Sequence, residues 1–250
     1  MIVPLANILQ PLIDAADAVI GFFHDQVGLS WGWSIVFLTW TTRLIILPLS
    51  VSQIRSMRAL QAYSPQIKAI QEKYKDDKQR QQREMIAFYQ ENKINPFASC
   101  IPLLLQLPVF LALYQALKKG GDVQQAILTS PGGDQGFLFI PQLTEPATGA
   151  PLVVLLILFI GTQLGSSMVM ASRADKNQRI IMYVLPFVFA PFVITFPAGL
   201  AVYWISTNIW TLGQQSAVRI FFPPPEIPTV EEIKSQEPPP PPPRKKKKRR

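Results

Sequence analysis

The 250-residue sequence contains one cysteine and one histidine. A lone thiol closes no disulfide, and Cys100 with His24 cannot build a multi-cysteine or histidine-rich metal site. Cys100 lies between Ser99 and Ile101 in an apolar stretch, where a thiol behaves as a small buried hydrophobe. Charge is also scarce, at 16% of residues, against about 25% in ordinary soluble domains. No charged residue occurs in 97–117, 151–172 or 180–218. Those stretches hold no His/Glu pair, Ser/Lys dyad or Asp pair, and no P-loop pattern occurs in the chain. No enzyme activity, cofactor or metal is therefore expected.

What the chain has instead is long apolar runs. One helix needs about 20 residues to cross about 30 Å of hydrocarbon. The stretch 180–218 is long enough for two, with Phe196, Pro197, Ala198 and Gly199 as the turn between them. Together with 31–51, this predicts an all-α integral membrane protein with five spans, at about 31–51, 97–117, 151–172, 180–196 and 199–218. Residues 1–30 have no basic n-region, so no signal peptide is expected. Leu5, Ile8, Leu9, Leu12, Ile13, Ala16, Val19, Ile20 and Phe23 follow a helical stripe. Asn7, Gln10, Asp14 and Asp17 fall largely off it. This predicts an amphipathic helix in the membrane interface, bent at Pro11.

Lysine and arginine set orientation. Residues 1–30 contain neither, 52–95 contain nine, 118–150 two, 173–179 three and 219–250 nine. Five spans put all three rich segments on one side only with the N-terminus outside and the C-terminus in the cytoplasm. A bacterial plasma membrane is the expected location; a thylakoid membrane is the alternative, and no transit peptide is visible.

The segment 52–95 is predicted to form a cytoplasmic helical hairpin. Ser64 is placed to cap its first helix, with Pro65 at the first helical position. Ile67, Ile70 and Tyr74 form one stripe, with Tyr63 just before it. Lys75, Asp76, Asp77 and Lys78 break the pattern. Met85, Phe88 and Tyr89 form the apolar face of a second helix that stops near Asn95 and Pro96. The tail 223–250 is proline-rich and predicted to be disordered. It ends in Arg244, Lys245, Lys246, Lys247, Lys248, Arg249 and Arg250. Seven adjacent positive charges attract a polyanion. Two readings stand, anionic lipid headgroups and ribosomal RNA, and charge alone does not separate them.

Arg43 is the ionisable side chain deepest in a predicted span. It is the thirteenth of the 21 residues in 31–51, about 12 Å of helix from the cytoplasmic end at about 1.5 Å per residue. An arginine stem reaches about half that distance. Either the bilayer is thin there or a wet cavity rises to meet it. Gln106 between Pro102 and Pro108, Gln163 within Gly161-x3-Gly165, and Tyr203, Trp204, Ser206, Thr207 and Asn208 are placed to line that cavity. No carboxylate lies in any span, so the positive potential is left for an incoming group. Thr39, Thr41, Thr42 and Pro48 are the neighbours expected to help solvate it.

Three stretches now carry a resemblance: "TRLIILPLSVSQIRSMRALQAYSPQIKAIQEKYK", "NPFASCIPLLLQLPVFLALYQAL" and "FPAGLAVYWISTNIWTLGQQ". In this order they resemble the bacterial YidC/Oxa1/Alb3 membrane-protein insertases, over about residues 1–220. The chain looks like the short five-span form. The resemblance implies an insertase and chaperone for newly made membrane proteins, with a groove open to cytoplasm and lipid but closed outside. It implies that Arg43 matches the groove arginine, Gln163 the groove glutamine and Trp204 the fifth-span aromatic, and that 52–95 matches a mobile hairpin. Nascent membrane proteins, the ribosome through the tail, the Sec translocon, the signal recognition particle machinery and membrane lipid are the partners it suggests. Many Gram-positive members carry a lipid on a cysteine near the start; no cysteine stands there in this sequence, and no such anchor is expected. The rival from another class is a small anion transporter or channel built on Arg43.

Overall fold

A backbone in hydrocarbon must satisfy its own hydrogen bonds, and an uninterrupted helix does so within one segment. The apolar runs follow that rule in the computed structural model, which describes residues 3–92, 101–118, 120–130, 135–171 and 176–221. The described regular elements are helices, in chain order α1 (Val3–Gly21), α2 (Trp31–Ile45), α3 (Leu47–Ala62), α4 (Ser64–Lys73), α5 (Lys78–Glu91), α6 (Ile101–Leu117), α7 (Asp122–Thr129), α8 (Gly149–Ala171), α9 (Lys176–Thr195) and α10 (Ala198–Phe221). The tail 223–250, including Arg244 to Arg250, lies outside the described residues.

Helix α8 is long and apolar enough over Gly149–Val169 to cross a membrane by itself. The first predicted span is not one straight rod. It breaks at Ile46, and its two halves, Trp31–Ile45 and Leu47–Ile54, meet at 65°. Pro48 supplies the reason: it has no N–H for the carbonyl of Leu44, and its ring disfavours helix in the residue before it. Arg43 therefore stands in the last turn of α2, beside the bend, rather than deep inside a continuous 31–51 helix. Helix α9 carries two prolines, Pro186 and Pro191. Pro186 leaves the Met182 carbonyl without its helical donor. Ser167 of α8 fills that vacancy, its Oγ donating to Met182 O at 3.1 Å.

Helix α8 packs between α9 and α10, α10 also packs on α2, and α1 packs on α6, α2 and α7. Pro11 lies within α1, which runs through it as one assigned helix. A five-residue π-helical turn, Phe22–Gln26, follows α1. His24 Nδ1 donates to Leu29 O at 2.8 Å, and its ring stacks on Trp31 at 3.7 Å.

The packed core sits at one end of the bundle. Trp31, Ile35 and Leu38 of α2, Leu113 and Leu117 of α6, and Leu200 and Tyr203 of α10 are all buried there. The connection between α6 and α8 contributes to the same core through Val123, Ile127, Ile140 and Leu143. Leu143 O and Glu145 O accept from the backbone N–H groups of Gly199 and Ala198, at 2.8 and 2.9 Å. The start of α10 is thereby capped by the loop. Along α8 and α9 the surface is apolar, with Val153, Ile157, Ile181, Phe187 and Val188 exposed. A patch of that extent marks an interaction surface.

The hairpin forms with two shifts. Helix α3 runs to Ala62, so α4 begins at Ser64, and Tyr63 rather than Ser64 occupies the cap position. Pro65 follows one place later than expected, still in the first turn where its missing N–H leaves no helical bond unmade. The second helix is capped by Asp77, whose carboxylate accepts from Arg80 N at 3.0 Å, and it ends at Glu91. The helices meet through Gln81 Nε2 donating to Gln71 O at 2.6 Å and through Tyr63 edge-on to Phe88 at 5.7 Å. Ile67, Ile70, Tyr74, Met85 and Phe88 are only half-buried, while Pro65 is exposed.

Candidate functional site

The candidate site lies beyond the core, toward the α2–α3 bend. Arg43 is half-buried, and its Nη2 donates to Gln106 Oε1 at 2.8 Å. A guanidinium has no acceptor, so the amide must turn its oxygen toward it. That leaves Gln106 Nε2 facing α10, where it donates to Tyr203 OH and to Thr207 Oγ1, the latter at 3.2 Å. Tyr203 and Thr207 are buried. One glutamine thus joins α2, α6 and α10 around a charge that it does not neutralise. Among the described residues Arg43 has no carboxylate partner.

Polar groups continue from there along α3 and α10. Gln53 and Gln215 are buried, and Gln53 Nε2, Gln214 Nε2, Gln215 Oε1 and Trp40 Nε1 have no hydrogen-bond partner among the described residues. Buried polar atoms are nearly always satisfied by protein or water; Asp17 Oδ1 and Trp31 Nε1, at the other end of the bundle, are likewise buried without a partner among the described residues. The opposite end holds the packed core described above. The site is therefore lined by polar groups toward the bend and borders the core on its other side.

Of the eight residues expected at the cavity, Arg43, Gln106, Tyr203 and Thr207 meet. Trp204 does not join them. Successive residues on a helix are about 100° apart, and Trp204 turns to an aromatic cluster instead. It stacks on Phe110 at 5.0 Å, with Phe159 at 5.5 Å and Phe189 at 6.1 Å. Asn208 clasps α8: its Nδ2 donates to Thr162 Oγ1 and its backbone oxygen accepts from Ser166 Oγ, both at 3.2 Å. Gln163 follows Thr162 on that helix, is half-buried, and forms no hydrogen bond to Arg43. Thr39 and Thr42 bond back to their own helix, to Ile35 O and Thr39 O at 2.8 Å. Gly161 is open around its Cα, whereas Gly165 faces Leu212. Only the second glycine of that pair sits in a packing seam. Gln53, Gln214 and Gln215 were not singled out from sequence: Gln53 opens the polar segment after the first span, and Gln214 and Gln215 stand near the end of the fifth.

The family profile described as 60Kd inner membrane protein matches residues 22–224. The chain belongs to this family, that of YidC. A protein of Streptomyces avermitilis named membrane protein insertase YidC is 37% identical over 225 residues, covering 78% of this chain and 53% of the relative. Proteins of the same name from Pseudomonas paraeruginosa and Neisseria meningitidis are 35% and 34% identical over 192 residues. They cover 77% of this chain, and 31% and 33% of the relatives. The chain thus spans from about a third to about half the length of these relatives. A solved structure titled "Active YidC insertase crystal structure with the first transmembrane domain resolved" superposes with a TM-score of 0.64 at 23% identity. It covers 86% of this chain and 46% of that one, and it shows the YidC fold. Membership in the YidC family places the chain in a membrane.

Proposed function

We propose that this chain is a membrane protein insertase that moves newly made membrane proteins into the bilayer through a hydrated recess open to the cytoplasm. The observation that carries the reading is the pairing of Arg43 with a neutral amide, which leaves a full positive charge beside unsatisfied polar groups. The names of the relatives point the same way.

The proposed topology is five spans with the N-terminus outside and the C-terminus in the cytoplasm. It assigns α2 with the start of α3, α6, α8, α9 and α10 to the membrane. Helix α1 lies at the outer interface, α4 and α5 stand in the cytoplasm, and the basic segment 223–250 is on the cytoplasmic side. This orientation puts the sealed end outside and the Arg43 end toward the cytoplasm.

Mechanism follows from that arrangement. A substrate with a short extracytoplasmic segment enters from the ribosome side. Its carboxylates are drawn to Arg43, and the water around Gln53, Gln214 and Gln215 shortens the hydrocarbon they must cross. The apolar segment then moves sideways into lipid, where burial at about 25 cal/mol per Å² favours release. No covalent step is required. The tail recruits the ribosome, and the Sec translocon and signal recognition particle machinery are further proposed partners.

Reconstitution tests the reading. Purified protein in liposomes is expected to insert a one-span substrate and to show no steady anion conductance without it. Conductance with no insertion would replace the insertase by an anion channel built on Arg43.

A further inference from the structure

The segment 135–144 contains no charge, and its most exposed described side chains are apolar. Phe137 and Ile140 close a two-residue turn, each N–H donating to the other's carbonyl at 2.8 Å. The tip is Leu138, 78% exposed, and Phe139, 39% exposed. Leu138 has φ 54, and among the described residues it is the one non-glycine with positive φ. Glycine is the usual occupant of a first central turn position with positive φ, because a Cβ is penalised there. A leucine that accepts this penalty and then points into open space is not explained by the turn. Backbone outliers of this kind are a starting point for a functional reading.

The height of the tip is fixed at two helix ends. Phe137 lies over Gly32, where a Cβ would stand 2.1 Å from the Phe137 ring, so glycine makes the seat. Leu143, which accepts from Gly199 N–H at the start of α10, itself donates to Gln135 O at 2.9 Å. Beside the tip, Trp33 is 44% exposed and meets Phe137 edge-on at 5.3 Å. Trp33 is two residues into α2, about 3 Å along its axis. Exposed tryptophan at a span end is the mark of the membrane–water interface.

We infer that Leu138 and Phe139, with Trp33, form a lipid-contacting anchor that rests the outer loop in the outer surface of the bilayer. The partner is the headgroup and upper acyl region of lipid. A protein partner is disfavoured because both attachment points are the outer ends of proposed spans, and Phe22 and Val27, also exposed, stand near the same end. Such an anchor would brace the packed end of the bundle against the bilayer. The inference rests on the proposed topology, and the test separates the two.

On a Cys100→Ser background, single-cysteine variants Leu138→Cys, Phe139→Cys, Ile157→Cys and Gln82→Cys receive a nitrobenzoxadiazole label. Each is reconstituted alone in phosphatidylethanolamine–phosphatidylglycerol liposomes. Labels at 138 and 139 are expected to emit to the blue of the label at 82, and to be quenched more by a doxyl group near the headgroup than by one at the acyl end. The label at 157, halfway along α8, is expected to show the reverse depth preference. Water-like emission and iodide quenching at 138 and 139, with 157 in lipid, would leave the topology standing and overturn the anchor; that is also the result if the tip awaits a protein. Water-like emission at 157 as well would overturn both.

Discussion

Arg43 and Gln106 are 63 positions apart in sequence and 2.8 Å apart in space. The contact gives the charge a fixed position without cancelling it. Replacing the amide tests both halves of that statement. Gln106→Leu leaves Arg43, Tyr203 and Thr207 short of a partner, and loss of a buried hydrogen-bonding group costs about 1–3 kcal/mol. Thermal unfolding in detergent is expected to occur at lower temperature. Gln106→Glu keeps the shape and supplies a counter-charge. It is expected to hold or raise stability while reducing insertion of substrates with acidic tails.

Gly32 and Gly161 should respond in opposite ways to alanine. At Gly32 the new Cβ meets the Phe137 ring at 2.1 Å, whereas at Gly161 it meets nothing within 4 Å. Overpacking of this kind costs about 1–3 kcal/mol. Removing an unneeded helical glycine gains up to about 1 kcal/mol. Comparing the unfolding midpoints of Gly32→Ala and Gly161→Ala checks the loop docking directly.

Asp17 gives helix α1 a pH dependence. Its carboxyl is raised from 3.8 to about 6, first by burial, then by Asp122 of α7 and Asp14 of its own helix. Its Oδ1 is buried without a hydrogen-bond partner among the described residues. His24 and Asp25 on the following turn, Arg43 of α2, and Tyr114 and Lys118 in and after α6 are the other ionisable groups on the adjoining elements. The folded state holds this proton more tightly than the unfolded chain. The stabilisation is therefore complete below about pH 4 and lost as pH rises through about 6. Asp17→Asn should raise the unfolding temperature at pH 7.5 and flatten its change between pH 4 and 6. An unchanged slope would remove Asp17 from the account.

The basic tail should act through charge. Deleting residues 244–250 is expected to weaken salt-sensitive co-sedimentation with ribosomes. Ribosome binding that survives the deletion, with lost binding to anionic vesicles, would leave only the lipid role.

How much of this was legible beforehand depended on contrast. Arg43, Gln106 and Tyr203 stand out because each is polar within an apolar run. Their meeting was not legible, since Gln106 and Tyr203 are 97 positions apart and periodicity carries no information across that distance. Trp204 adjoins Tyr203, yet one step around the helix sends it into the Phe110 and Phe159 cluster. The bend at Ile46 could be read from Pro48, and a continuous span hid it. The part α7 plays in the core was missed because α7 is eight residues long, too short for a periodic signal, although Val123 and Ile127 are spaced for one helical face.

The central claim is that Arg43 acts as an uncompensated charge for the substrate. The most direct measurement compares insertion of two substrates, identical except for an acidic or a neutral extracytoplasmic tail, by wild type and Arg43→Glu in liposomes. The account predicts that the variant loses the acidic-tailed substrate far more than the neutral one. Equal loss of both, or no loss of either, would contradict it.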